Sequence, residues 1–191
     1  SDLPSGAGKS TLLAALAGEL DARAGEVCLE GEPVARMRPA ALARRRAVLT
    51  QRTDLRFGFR VMEVVLFGRA PHCQGIPGPE DRRLAQRALE LSRASHLIER
   101  VSTTLSGGEQ QRVHLARAIA QLLPVALEGP GYLLLDEPTS SLDPAHAHAM
   151  MEGVLRLCRE GLAVCVVLHD LDLAARFADR IALMRQGRIE A

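Results

Sequence analysis

Residues 131–139 read Gly131-Tyr132-Leu133-Leu134-Leu135-Asp136-Glu137-Pro138-Thr139. Gly131–Leu135 is apolar throughout and lacks the alternation of a half-solvated strand. Such a run suits a parallel strand buried on both faces. Leu162–Leu168 repeats the pattern, and Ala145–Arg159 between the two reads as a crossover helix. Strands alternating with helices predict an α/β fold with a doubly wound, mostly parallel sheet.

Upstream, Ser10 to Leu20 predicts a helix with Leu12, Leu13, Leu16 and Leu20 on one side and Gly18 near its end. Val27–Glu30 is a short strand, Gly31-Glu32-Pro33 a turn, and Pro39–Arg46 a short helix feeding the strand Ala47–Thr50. Val61–Arg69 reads as helical, Pro71 to Pro79 as a loop, and Glu80–Ala94 as an amphipathic helix with Leu84, Ala88 and Leu91 inward. Ser106–Gln121 is a further helix. Leu171–Ala178 is helical, Ile181–Met184 a final strand and Gln186-Gly187 a turn. The mostly helical stretch from about Thr53 to Thr104 interrupts the alternation of strand and helix.

Three segments carry chemistry. Gly6-Ala7-Gly8-Lys9-Ser10-Thr11 has the glycines that let backbone N–H groups crowd around phosphate oxygens. Its Lys9 can neutralise β- and γ-phosphates, and the Ser10 hydroxyl can ligate Mg²⁺. Leu105-Ser106-Gly107-Gly108-Glu109-Gln110-Gln111-Arg112 sets a hydroxyl and bare N–H groups at a helix N-terminus, a terminus suited to an anion. Asp136 and Glu137 close an apolar strand, beyond what surface charge alone requires. His169 follows the strand Leu162–Leu168, at the end where α/β folds bind ligands. Asp143 followed by Pro144 reads as an N-cap and first helical residue. His146 and His148 stand two apart on a helix, on different faces and in solvent, and His114 reads as a helix-surface residue.

These segments, in this order, resemble the nucleotide-binding subunit of ABC transporters over nearly the whole chain. The resemblance implies a P-loop NTPase-type sheet flanked by helices, with residues 1–52 and 105–191 as core and 53–104 as an inserted helical subdomain. It implies ATP and Mg²⁺ as cofactors. Ser5, Gly6, Ala7, Gly8, Lys9, Ser10 and Thr11 would bind nucleotide, and Ser10, Gln51 and Asp136 would hold Mg²⁺. Glu137 would orient and deprotonate the attacking water, Gln51 would contact that water, and His169 would reach the γ-phosphate. Ser106, Gly107 and Gly108 would complete the site of a second copy, and Asp143 would lie in the loop crossing that homodimer interface. The stretch Arg60–His72, ending in Gly68-Arg69-Ala70-Pro71-His72, looks like the ATPases of bacterial importers for haem, ferric siderophores and cobalamin, and Leu42–Leu49 and His169–Arg180 look most like the haem branch. Arg60–His72 would then dock a transmembrane permease, with a periplasmic binding protein engaged indirectly. The place of work would be the cytoplasmic face of the bacterial inner membrane.

Bulk properties bound the alternatives. The 191 residues fit one domain, and 47% hydrophobic content supplies a core. A net charge of +1 argues against a nucleic-acid binder. Of 24 basic residues only Lys9 is lysine, as a compact ammonium between phosphates requires. Cys28, Cys73, Cys158 and Cys165 have no paired or metal-like spacing and read as reduced thiols. Gly161–Leu168 is too short to span a bilayer and no signal peptide is evident, so membrane association would go through a partner. Two departures stand out: Leu3 occupies the place of the loop's first glycine, and Ser5 that of the family's usual asparagine. The expectation is a chain shortened at its start, with the strand before the phosphate loop missing. A catalytically impaired cassette fragment and a non-transport ABC ATPase therefore stay open as alternatives.

Overall fold

A computed structural model describes residues 7–50, 57–73, 75–124, 131–140 and 142–190. Helix α1 (Lys9–Leu16) is shorter than its periodicity predicts. Gly18 adopts φ 71, a left-handed turn that ends the helix and leaves Leu20 exposed. Next come β1 (Cys28–Leu29) and β2 (Glu32–Pro33), an antiparallel hairpin. Its turn lies one residue earlier than expected, because Glu30 and Gly31 both take positive φ, the geometry of a two-residue hairpin turn. Helix α2 (Pro39–Arg45), with proline at its start, leads directly into β3 (Arg46–Leu49).

Helix α3 (Val61–Leu66) begins where the Glu63 carboxylate accepts the Arg60 N–H at 2.7 Å, and it tightens into a 3-10 turn over Phe67–Arg69. Helix α4 (Pro79–Leu91) follows and buries Leu84, Ala88 and Leu91 as its pattern predicts. Helix α5 (Gly107–Leu122), strand β4 (Gly131–Asp136), helix α6 (Pro144–Arg159), strand β5 (Leu162–Val167) and helix α7 (Leu171–Phe177) complete the alternation. The last elements are β6 (Met184–Arg185) and β7 (Arg188–Ile189), an antiparallel hairpin turning at Gln186 and Gly187. The final strand expected over Ile181–Met184 does not form; Ile181 is exposed, and only Met184 enters the hairpin.

The sheet runs β3-β4-β5, all parallel. Its register sets Val48 beside Leu134 and Leu134 beside Cys165, so these residues share one face. Helix α1 covers part of that face through Leu13 and Ala17. Leu49, Leu133 and Leu135 point the other way, into a cluster that includes Ile119 of α5, Leu89 of α4 and Val65 of α3. Residues 61–97 thus share a core with the sheet, with α5 between them. Burial on both faces holds for β4 but not for β5, where Ala163 and Cys165 are exposed. Among the described residues no strand pairs with the outer edge of β5.

Candidate functional site

The parallel register brings the C-terminal ends of β4 and β5 side by side, with Asp136 opposite Val167. Helix α1 arrives at the same edge behind Gly8, which is left-handed at φ 86. The Ser10 hydroxyl donates to Asp136 Oδ1 at 3.2 Å. One residue on, Glu137 has φ 50, and its N–H donates to the Val167 carbonyl at 3.1 Å. A left-handed non-glycine residue costs roughly 1–2 kcal/mol. Such strain persists where neighbours hold it, and it gathers at functional sites. His169 Nε2 hydrogen-bonds Glu137 Oε1. An ionised carboxylate only accepts, so the imidazole donates. A cleft of about 390 Å³ opens beside this pair, lined by Thr139, Ser140, His148, Asp170 and Arg176. Asp170 caps α7 by accepting from the Asp172 and Leu173 N–H groups, which fixes the chain just after His169.

The glycine-rich start of α5 is built as a capping box. Ser106 Oγ accepts from Glu109 N at 3.4 Å, and Glu109 Oε2 accepts from Ser106 N at 2.7 Å. The Ser106 N–H, then its hydroxyl and nearby Arg100 and Arg112, hold the Glu109 carboxyl below its ordinary value. Gly108 leans on the loop after Glu137: a Cβ there would meet Leu142 Cδ2 at 2.9 Å. Asp143 caps α6, accepting from the Ala145 and His146 N–H groups at 3.1 Å each. The His146 side chain and N–H hold its carboxyl below the usual range.

Lys9, Ser10, Asp136, Glu137 and His169 thus gather at one edge of the sheet. Ser106 makes its hydrogen bonds at its own helix start and is not joined to the Ser10–Asp136 pair. Ser5, Gly6 and Gln51 lie outside the described residues. Ala7 is buried, and its carbonyl accepts from Gly187 N at 3.1 Å, so the β6–β7 hairpin touches the phosphate loop. Only the turn Gln186-Gly187 was visible in sequence; nothing there told of its contact. His114, expected on the surface, is 4% exposed, because α5 is enclosed by the sheet on one side and α3 and α4 on another. His146 turns to Asp143, while the His148 ring lies 4.9 Å from that of Phe177.

Much of Arg60–His72, the stretch expected to dock a permease, is interior. Val61, Val64, Val65 and Leu66 are buried, and so is Arg69. Arg69 Nε donates to Asp81 Oδ1 at 2.9 Å, and its Nη1 donates to the Ala120 carbonyl at 2.7 Å and to that of Leu123. The exposed apolar residues here are Phe57 and Phe67, joined through Phe59 in an aromatic ladder with centroids 6.2 and 5.2 Å apart.

A hydroxyl and a carboxylate within hydrogen-bond distance make an all-oxygen pair of the kind that hard cations select. Among the described residues no group of three or more His, Cys, Asp or Glu surrounds a metal position. A pair of protein oxygens, with the rest of the shell left to phosphate and water, fits Mg²⁺, which keeps several waters.

The ABC transporter family matches residues 4–140. The chain belongs to that family, as one of its ATP-binding cassettes with ATPase chemistry. It is 49% identical over 186 residues to the hemin import ATP-binding protein HmuV of Gloeobacter violaceus, covering 97% of this chain and 68% of that protein. Its identity to the hemin import ATP-binding protein HmuV of Pseudomonas putida is 52% over 188 residues, covering 98% and 72%. The fold matches the dimeric post-hydrolysis structure of the ATP-binding cassette MJ0796 bound to ADP and Pi, with TM-score 0.82 and 29% identity over 98% of this chain and 81% of that one. Among the described residues no helix is long and apolar enough to cross a membrane.

Proposed function

We propose that this chain is the ATP-hydrolysing subunit of a bacterial haem importer, working as a homodimer beneath a membrane permease on the cytoplasmic face. One observation carries the cargo: identity near 50% across almost the whole chain to hemin import ATP-binding proteins. In this reading Lys9 and the backbone of the loop ending at Gly8 hold the phosphates, and Ser10 and Asp136 hold Mg²⁺, which offsets phosphate charge when bound. Glu137 accepts a proton from water as the water oxygen bonds the γ-phosphorus, and the bond to the ADP oxygen breaks to give ADP and phosphate. His169 keeps Glu137 oriented and turns to the γ-phosphate when nucleotide arrives. Ser106, Gly107 and Gly108 serve the partner's nucleotide, and Asp143 lies in the crossing loop. Ser5, Gly6 and Gln51 keep the roles the family resemblance implies, and residues 53–104 act as its helical subdomain. The permease docks on the ladder of Phe57, Phe59 and Phe67, the exposed part of the segment around Arg60–His72, and a periplasmic binding protein acts through that permease.

Glu137→Gln keeps the shape and removes the base. It should bind ATP, hydrolyse it at least a hundredfold more slowly, in line with the ~10²–10⁴-fold contribution of a general base, and accumulate as a nucleotide-bound dimer. Hydrolysis near the wild-type rate would refute the assignment. Cargo is tested in the reconstituted transporter: hemin on the binding protein should stimulate hydrolysis, whereas stimulation by cobalamin or a ferric siderophore alone would sink the haem reading.

A further inference from the structure

The Gly68–His72 turn directs several contacts to a single helix end. The last four carbonyls of a helix lack intrahelical partners. At the end of α5, Ile119 O accepts from Leu123 N, and Ala120 O accepts from Arg69. Gln121 O accepts from His72 Nε2 at 2.7 Å, and the Leu123 carbonyl just beyond the helix also accepts from Arg69. A buried guanidinium and an imidazole at this terminus also suit the negative end of the helix dipole. Gly68 sits closer still: a Cβ there would stand 2.1 Å from the Arg117 carbonyl oxygen, so only glycine permits this approach. Outside the turn, Asp81 of α4 anchors Arg69, Arg44 Nε donates to Pro71 O at 2.9 Å, and Gln121 Nε2 donates to Ala43 O and Arg46 O.

From these contacts, and resting on the proposed function, we infer that Gly68, Arg69 and His72 form a clamp that aims the opposite end of α5, where Ser106 meets the partner's nucleotide. The sixteen residues of α5 form one unbroken helix, so a shift or tilt at the clamp reappears at Ser106. Phe67, the exposed edge of the aromatic ladder, immediately precedes Gly68. Phe67 of the docking ladder and Gly68 and Arg69 of the clamp are therefore consecutive residues of one 3-10 turn, and Arg69 is a positioning residue for Ser106.

The test uses the full-length subunit assembled with its permease. Arg69→Lys keeps the charge but cannot reproduce the fork that reaches Asp81, Ala120 and Leu123 together. Turnover should fall about ten- to a hundredfold, the scale of an ångström-sized misplacement. ATP affinity of the isolated subunit should stay within twofold, because Lys9, Ser10 and Asp136 sit on α1 and β4, away from the clamp. If Arg69→Lys does not fold, Asp81→Asn loosens the anchor and leaves the carbonyl contacts in place. It should lower turnover in the same sense and speed amide exchange at Glu109–Gln111, the far end of α5. Unchanged turnover and unchanged exchange there overturn the inference, as does a loss of ATP affinity in proportion to turnover, which marks general loosening. Glu137→Gln measured alongside separates the two failures: if it abolishes hydrolysis while the clamp variants are silent, only the clamp inference falls.

Discussion

At the scale of single residues, Glu137 holds together what the chemistry needs and what the backbone resists. Its position after an apolar run was readable, because the change from Leu135 to two carboxylates is abrupt. Its left-handed φ was not readable, since it arises from the Glu137 N–H reaching across to Val167 of the neighbouring strand. The conformation makes a reversal testable. In ordinary strand or helix positions glycine is less stable than alanine by about 0.5–1 kcal/mol. At φ 50 the order should invert, so Glu137→Gly should be more stable than Glu137→Ala by about 1 kcal/mol in urea titrations, although both have lost the carboxylate. Equal stability would mean that residue 137 relaxes out of the left-handed region once its side chain is gone.

At the scale of elements, helix ends explain both what was legible and what was not. Ser106 with Glu109, and Asp143 with Pro144, are local signals, and the helices begin where those signals fall. The far end of α5 has no local signal, since its cap is supplied by Arg69 and His72 from a segment tens of residues upstream. Arg69, within the stretch expected to dock a permease, is buried for that reason, and His114 is buried because α5 is enclosed by the sheet and by α3 and α4. Burial alone would raise the Asp81 carboxyl, but the Gly78 N–H and the Arg69 guanidinium outweigh it and hold the group below its ordinary value. A depressed carboxyl stabilises the fold above its unfolded value, near pH 4, and that contribution disappears as pH falls through the lower folded value. The stability gap between wild type and Asp81→Asn should therefore be full at neutral pH and close on acidification below about pH 4. A gap that is constant across that range would detach Asp81 from the clamp. Gly68→Ala should cost more, roughly 1–3 kcal/mol or beyond, because the added methyl meets the backbone of α5 rather than a movable side chain. The check is a lower urea midpoint at an unchanged slope.

At the scale of the whole molecule, the proposed docking face and the proposed catalytic edge lie on different elements, which lets them be perturbed separately. Phe67→Asp places a charge on an exposed ring that touches only Phe59 in the ladder. Basal hydrolysis should persist while hemin-driven stimulation in the reconstituted transporter is lost; parallel loss of both would mean that Phe67 belongs to the core. The class of fold was legible because two apolar runs and a helix between them dictate a parallel pair. The ends of the sheet were not, because Ile181–Met184 looks like a strand, but only Met184 pairs, and it pairs with β7 rather than with the β3-β4-β5 sheet. The order β3-β4-β5 also has a consequence in time. Joining β4 to β5 closes the segment 137–161, whereas joining β3 to β4 closes 50–130, about three times as long and costlier by about 1 kcal/mol of loop entropy. Strand β3 leaves the ribosome first, yet it has no partner until Asp136 has emerged. During refolding, amides of β4 and β5 should become protected before those of β3, as pulsed hydrogen exchange can record, leaving β3 as the last strand to enter the sheet.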